Sequence, residues 1–111
     1  MPIKLLIFIA LSVYAEGASS SNFSGKLPEI DFSNHHFSPQ TLVVPAGQPL
    51  QIKVVNSSRE KIEFESFSLN REKVIEPGES ITVRLPALRA CSYDFYDDFH
   101  NDVPEGSIVA R

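Results

Sequence analysis

From Glu29 onward the chain alternates polar and apolar residues in short runs, and each run ends at a turn signal before a helical period can establish itself. Leu50-Gln51-Ile52-Lys53-Val54-Val55 is the clearest run, with Leu50, Ile52 and Val54 on one face. Ser80-Ile81-Thr82-Val83-Arg84-Leu85 repeats the pattern, with Ile81, Val83 and Leu85 inward. In Lys61-Ile62-Glu63-Phe64-Glu65-Ser66-Phe67, Ile62 and Phe64 share one face, and Glu63 and Glu65 share the other. Pro45-Ala46-Gly47-Gln48-Pro49 and Glu76-Pro77-Gly78-Glu79 read as turns. Further strands are predicted over residues 29–33, 40–44, 69–76, 91–96 and 107–111, with residues 34–39 as a loop. Seven or eight short strands without a helix predict an all-β sandwich or small barrel.

The start of the chain has a different pattern. Lys4 is followed by an almost wholly apolar run over residues 5–15, and Val13-Tyr14-Ala15 puts small or aliphatic residues at the cleavage-determining positions. This predicts a secretory signal peptide over residues 1–15. The run falls short of the ~20 residues a membrane span needs, so the chain is not expected to span a membrane after cleavage. Residues 16–28, rich in Ser, Gly and Ala, read as a flexible lead-in, leaving one domain over residues 29–111.

Export and small size would favour disulfides. Cys91 is the only cysteine, so no internal disulfide can form; it is expected to be a packed thiol. The chain carries 14 Asp/Glu against 10 Lys/Arg, a net charge of −4, and Lys4 is the one charge before Glu16. No basic patch is present, so nucleic acid is not an expected partner. Metal cations or basic protein surfaces suit this balance.

The most chemically loaded stretch is Ser92-Tyr93-Asp94-Phe95-Tyr96-Asp97-Asp98-Phe99-His100-Asn101-Asp102, then Gly106-Ser107-Ile108-Val109-Ala110. It reads as a strand, an acid-rich loop around one histidine, and a closing strand. Asp97 continues the inward phase of Tyr93 and Phe95, and Asp98 points the other way if the strand persists; the strand is expected to end here, which leaves the choice between the two open. An acidic surface loop is the plain alternative. Likewise, spacing alone makes Glu63 and Glu65 a solvated polar face, because adjacent like charges repel unless solvent or a cation screens them. No Ser-His-Asp or Cys-His signature and no Gly-rich phosphate loop is present, so hydrolytic catalysis has no support.

Three segments in order resemble the cupredoxin-like family: Phe37-Ser38-Pro39 with Leu42-Val43-Val44-Pro45-Ala46-Gly47; Ile52-Lys53-Val54-Val55-Asn56 with its loop; and Tyr93-x-Phe95 leading to His100 and Gly106-Ser107-Ile108-Val109. The resemblance implies a Greek-key β-sandwich. A copper member would supply a His after the Asn loop, then a Cys, a second His and a Met from the last loop. Here Asp97 holds the Cys position and His100 matches the second His. The Met position falls near Glu105, and the first His position falls in the Glu63-Phe64-Glu65 region. A blue copper site is therefore not expected.

Within the family the chain most resembles the EfeO-type domain and stand-alone periplasmic proteins of bacterial iron uptake. The residues carrying this are Glu63-Phe64-Glu65, Arg71-Glu72-Lys73-Val74 with Pro77-Gly78, and Tyr93 to His100. The resemblance implies a periplasmic protein binding iron and/or copper through Glu63, Glu65, Asp97, Asp98 and His100. It would serve a membrane iron permease and other uptake components, assisting Fe(II) oxidation or delivery. The alternative is a metal-free secreted adaptor that docks a partner through its acidic face.

Overall fold

The computed structural model describes residues 25–111; the expected signal peptide and most of the lead-in lie outside the described residues. Nine strands form: β1 (Glu29–Ser33), β2 (His36–Ser38), β3 (Thr41–Val44), β4 (Leu50–Asn56), β5 (Ile62–Ser66), β6 (Arg71–Ile75), β7 (Ser80–Leu85), β8 (Cys91–Asp97) and β9 (Gly106–Ala110). One sheet has the order β2-β1-β4-β7 and the other β3-β9-β8-β5-β6. β1 runs parallel to β4, and β3 to β9; the other pairings are antiparallel. The all-β sandwich is the architecture the alternation predicts. Among the described residues, no helix is long and apolar enough to cross a membrane.

The strand beyond the predicted seven or eight is β2, which falls where the sequence reads as a loop. Asn34 and His35 both have positive φ, 56° and 65°, and Ser33 pairs with His36. That is a two-residue hairpin loop of the kind that matches the right-handed twist of its strands. A three-residue strand is too short to show a period, and His35 occupies a position where glycine is the usual signal.

The core forms between the sheets from the faces the alternation marks. Leu50, Ile52 and Val54 of β4 are buried, as are Val83 and Leu85 of β7, with Ile81 packed against them. At one end, four phenylalanines join the sheets. Phe37 packs edge-on against Phe95 at 5.1 Å and Phe64 at 6.4 Å, and Phe32 packs against Phe37 at 5.1 Å. Edge-to-face contacts of this kind add about 0.5–1.5 kcal/mol each beyond area burial.

Asn56, fully buried, ends β4 and shapes the loop after it. Its Nδ2 donates to the backbone oxygens of Glu60 at 2.6 Å and Ile75 at 3.0 Å; its Oδ1 accepts from the Ser58 N–H at 3.0 Å and hydroxyl at 2.7 Å. Every polar atom of this side chain is satisfied, so its burial carries little penalty.

Gly106 sets the entry of β9. A Cβ there would strike the Phe95 ring and lie 2.7 Å from the Gln40 carbonyl oxygen. Gly106→Ala is expected to cost about 2 kcal/mol by overpacking. Thermal unfolding should show a midpoint lower by roughly 10 °C for a domain of this size.

Candidate metal centre

The predicted site residues fall into two groups on opposite sides of the end of β8. The inner group is organised by Asp97. Asp97 points inward with Phe95 and is only 2% exposed. Its Oδ1 accepts from the backbone N–H of Glu63 at 3.0 Å and of Phe99 at 3.0 Å. Its Oδ2 accepts from His100 Nδ1 at 2.6 Å. The Phe99 contact closes a side-chain-capped turn, and the His100 N–H bonds back to the Asp97 carbonyl at 3.2 Å. Both carboxylate oxygens are thus engaged by the protein. Asp97 positions His100 rather than standing free as a ligand.

The outer group lies on the outer face of the β6-β5-β8 part of the sheet. Glu65 stands directly opposite Glu72 on β6 and opposite Tyr96 on β8, while Glu63 stands opposite Val74. Ligand-capable oxygens of Glu63, Glu65 and Glu72 lie within 4.8 Å of one another. Like charges placed directly across a strand pair are destabilising. Asp98, which does point away from the core, adds its charge to both Glu63 and Glu65.

This crowding raises the affinity of these groups for protons. Glu63 is pushed up to about 7, first by a hydrogen bond with the Glu72 carboxyl, then by burial and by the charges of Glu72, Asp98 and Glu65. A hydrogen bond between two carboxyls needs a proton in it. Glu63 is 9% exposed although it lies on the face opposite Ile62 and Phe64. Glu65 is raised by loss of solvent and by the charges of Glu72 and Asp98, and a hydrogen bond from Tyr96 offsets part of the rise. Tyr96 is raised in turn, by burial and then by the Glu65 and Asp98 charges.

Three expectations are corrected. The five predicted residues do not form one ligand set: Glu63 and Glu65 are joined by Glu72, whereas His100 faces away from them toward Glu60. The residue after the Asn loop that approaches His100 is Glu60, with Oε1 3.8 Å from His100 Nε2, and not a residue of the 63–65 segment. Cys91 is an exposed thiol, not a packed one. Glu105 is exposed, and its charge acts on Tyr96.

In sequence His35 and His36 read as an exposed loop pair that could add a ligand, but nothing there places them near His100. His35 has its ring centroid 5.6 Å from that of His100. Its Nε2 donates to the Asp102 carboxylate at 3.1 Å, and its Nδ1 lies 3.3 Å from Glu60 Oε1. The signal that would have found it is the pair Asn34-His35 between two apolar-alternating segments, read as a hairpin tip.

The donor chemistry decides which metals fit. A blue copper site needs a thiolate at the Asp97 position, and Asp97 is consumed in holding the loop. Cys91 is six residues back along β8, about 20 Å at the rise of a strand. Blue copper therefore does not fit these residues. Three carboxylates and a phenol fit a harder cation.

The molecule is thus a two-sheet β-sandwich protein with an acidic face beside a histidine-bearing loop. The chain belongs to the cupredoxin-like domain family, whose model matches residues 4–110. It is 33% identical over 109 residues to an uncharacterized protein of Rickettsia prowazekii (strain Madrid E), covering 96% of this chain and 87% of that one. Reduced auracyanin from Roseiflexus castenholzii superposes with a TM-score of 0.63 at 17% identity, over 75% of this chain and 94% of that chain. Amicyanin from Paracoccus versutus gives 0.63 at 12% identity, over 83% and 88%. A purple cupredoxin from Nitrosopumilus maritimus gives 0.60 at 15%, over 76% and 99%.

Two pH effects on the metal-free protein follow. Glu63 and His35 both have raised values in the fold, His35 chiefly through its hydrogen bond to Asp102. For each, the stabilising contribution is full below the unfolded value and is lost as pH rises through the folded one. Asp102 is lowered by His35, so its contribution is lost only as pH falls through its depressed value. With chelator present, the unfolding midpoint should peak in mild acid and fall from pH 5 to 8. Glu63→Gln and His35→Gly should each flatten that fall, as a series of melts would read.

Proposed function

We propose that this chain is an exported metal carrier, periplasmic and of the EfeO type, that holds iron or Cu(II) on Glu63, Glu65 and Glu72. Asp98 and Tyr96 stand at the rim of the site. The carrying observation is the convergence of three carboxylates within 4.8 Å on a sheet face where Glu65 and Glu72 oppose each other directly. A bound cation turns that repulsion into attraction, and hard anionic oxygens favour a highly charged ion such as Fe(III). The export pattern of residues 1–15, the acidic balance and the resemblance over Glu63-Phe64-Glu65 support the same reading. An amicyanin of this fold has been solved in a Cu(I) form, which supports metal binding in the family. Here the oxygen donors favour the harder ion.

Delivery to a membrane permease fits the surroundings of the site. Glu65, Glu72 and Arg71 line a shallow hollow with Phe67, and Phe67 is 88% exposed. An exposed aromatic beside a charged hollow is suited to docking a partner. The same features would serve a metal-free adaptor, and chelation separates the two: an adaptor keeps its partner affinity without metal.

Anaerobic calorimetric titration with Fe(II), and a parallel titration with Cu(II), tests the carrier. Glu65→Gln and Glu72→Gln should each weaken binding by roughly tenfold or more. Affinity should fall as pH drops below about 7, because protonated Glu63 cannot ligate and the cation must displace its proton. Binding no tighter than millimolar, or affinity unchanged in both variants, would sink the proposal.

A further inference from the structure

A second cluster remains at the loop end of the sandwich, and the carboxylate site does not use it. We propose that His35, His100 and Glu60 form a separate cation site that takes a borderline divalent transition-metal ion, with Asp102 and Asp97 orienting the two imidazoles. The three residues come from different parts of the chain: the β1–β2 turn, the β4–β5 loop and the β8–β9 loop.

Glu60 is the shared neighbour of both imidazoles. Glu60 Oε1 lies 3.3 Å from His35 Nδ1 and 3.8 Å from His100 Nε2. With metal–ligand bonds of ~2.0–2.2 Å, neighbouring donor atoms in tetrahedral or octahedral sites stand about 3–3.5 Å apart. The Glu60–His35 spacing already meets this and the Glu60–His100 spacing needs a few tenths of an ångström, while the two imidazole nitrogens stand more than 4.8 Å apart and must close by about an ångström or more. Glu60, His35 and His100 are all partly exposed, so their side chains are free to rotate toward one another.

The independent observation is on the far side of each ring. His100 Nδ1 donates to buried Asp97 at 2.6 Å, and His35 Nε2 donates to Asp102 at 3.1 Å. A carboxylate on the outer nitrogen is how metal-binding histidines are aimed and made more basic. It assigns the inner nitrogens, His100 Nε2 and His35 Nδ1, to the Glu60 side. Among the described residues, His100 Nε2 makes no hydrogen bond.

His35 also occupies a left-handed position, with φ 65°, that glycine would hold without strain. An imidazole there gives this turn a side chain that reaches Glu60, Asp102 and His100 together. Two imidazoles and one carboxylate suit Cu(II), Zn(II) or Fe(II), in contrast to the all-oxygen set across β8.

Electron paramagnetic resonance on the Cu(II)-loaded protein reads the ligands directly. The wild type should show hyperfine coupling from two imidazole nitrogens. His35→Gly suits the turn, so its unfolding midpoint should not drop at pH 8, where the ionic contribution of His35 is lost. It should lose one nitrogen coupling, and Cu(II) affinity at the nitrogen site should fall by roughly tenfold or more. Glu60→Gln should weaken the site with both couplings kept. Glu65→Gln, which weakens the separate carboxylate site, should keep both nitrogen couplings, and His36→Ala should leave the signal unchanged. The proposal is overturned if the wild type shows no nitrogen coupling. It is also overturned if His35→Gly binds and couples as the wild type does, or if His36→Ala is the variant that loses the coupling.

Discussion

The buried carboxylate of Asp97 is the constraint on which the functional end of this molecule depends. It ties the backbone of β5 at Glu63 to the end of β8, closes the turn at Phe99 and orients His100. A charge-assisted hydrogen bond contributes about 1.5–3 kcal/mol, and a buried carboxylate with three donors is stable only while all three remain. In the family pattern that places a soft metal ligand at this position, the same residue would serve the metal. Here it serves the loop. One side chain thereby removes the blue copper option and builds a protein-held scaffold in its place.

Because β8 alternates, Asp97 and Asp98 go to opposite sides, and so do the chemistries they support. The inner side holds imidazoles backed by carboxylates. The outer side holds carboxylates that repel one another across β5, β6 and β8. That repulsion is a cost in the metal-free fold, and it pushes Glu63 upward so that a proton relieves it. A proton and a metal ion are competing solutions to the same electrostatic problem. Small two-sheet domains can tolerate such a face because the phenylalanine junction beneath it, Phe37, Phe64 and Phe95, is closely packed.

The strands were largely legible because a strand's side chains alternate with period two, and a half-buried strand displays that period in its residues. β4, β5 and β7 were read with their inward faces correct. β2 was not read, because three residues cannot display a period and its turn uses His35 where a glycine would have announced it. The outer pair Glu63 and Glu65 was legible from i, i+2 spacing. Glu72 was visible but unplaced, since cross-strand register is a property of two segments and not of either one.

What the sequence alone determined is the alternation, and with it the all-β class and the shared face of Glu63 and Glu65. These follow from backbone geometry within a single segment. Only the tertiary structure decided which distant residues meet. It set Glu72 opposite Glu65, and it brought His35 and Glu60 to His100 while turning His100 away from the carboxylates. Those meetings depend on how two twisted sheets pack and where their loops converge. Packing of that kind sums over the whole core, and no local pattern encodes it.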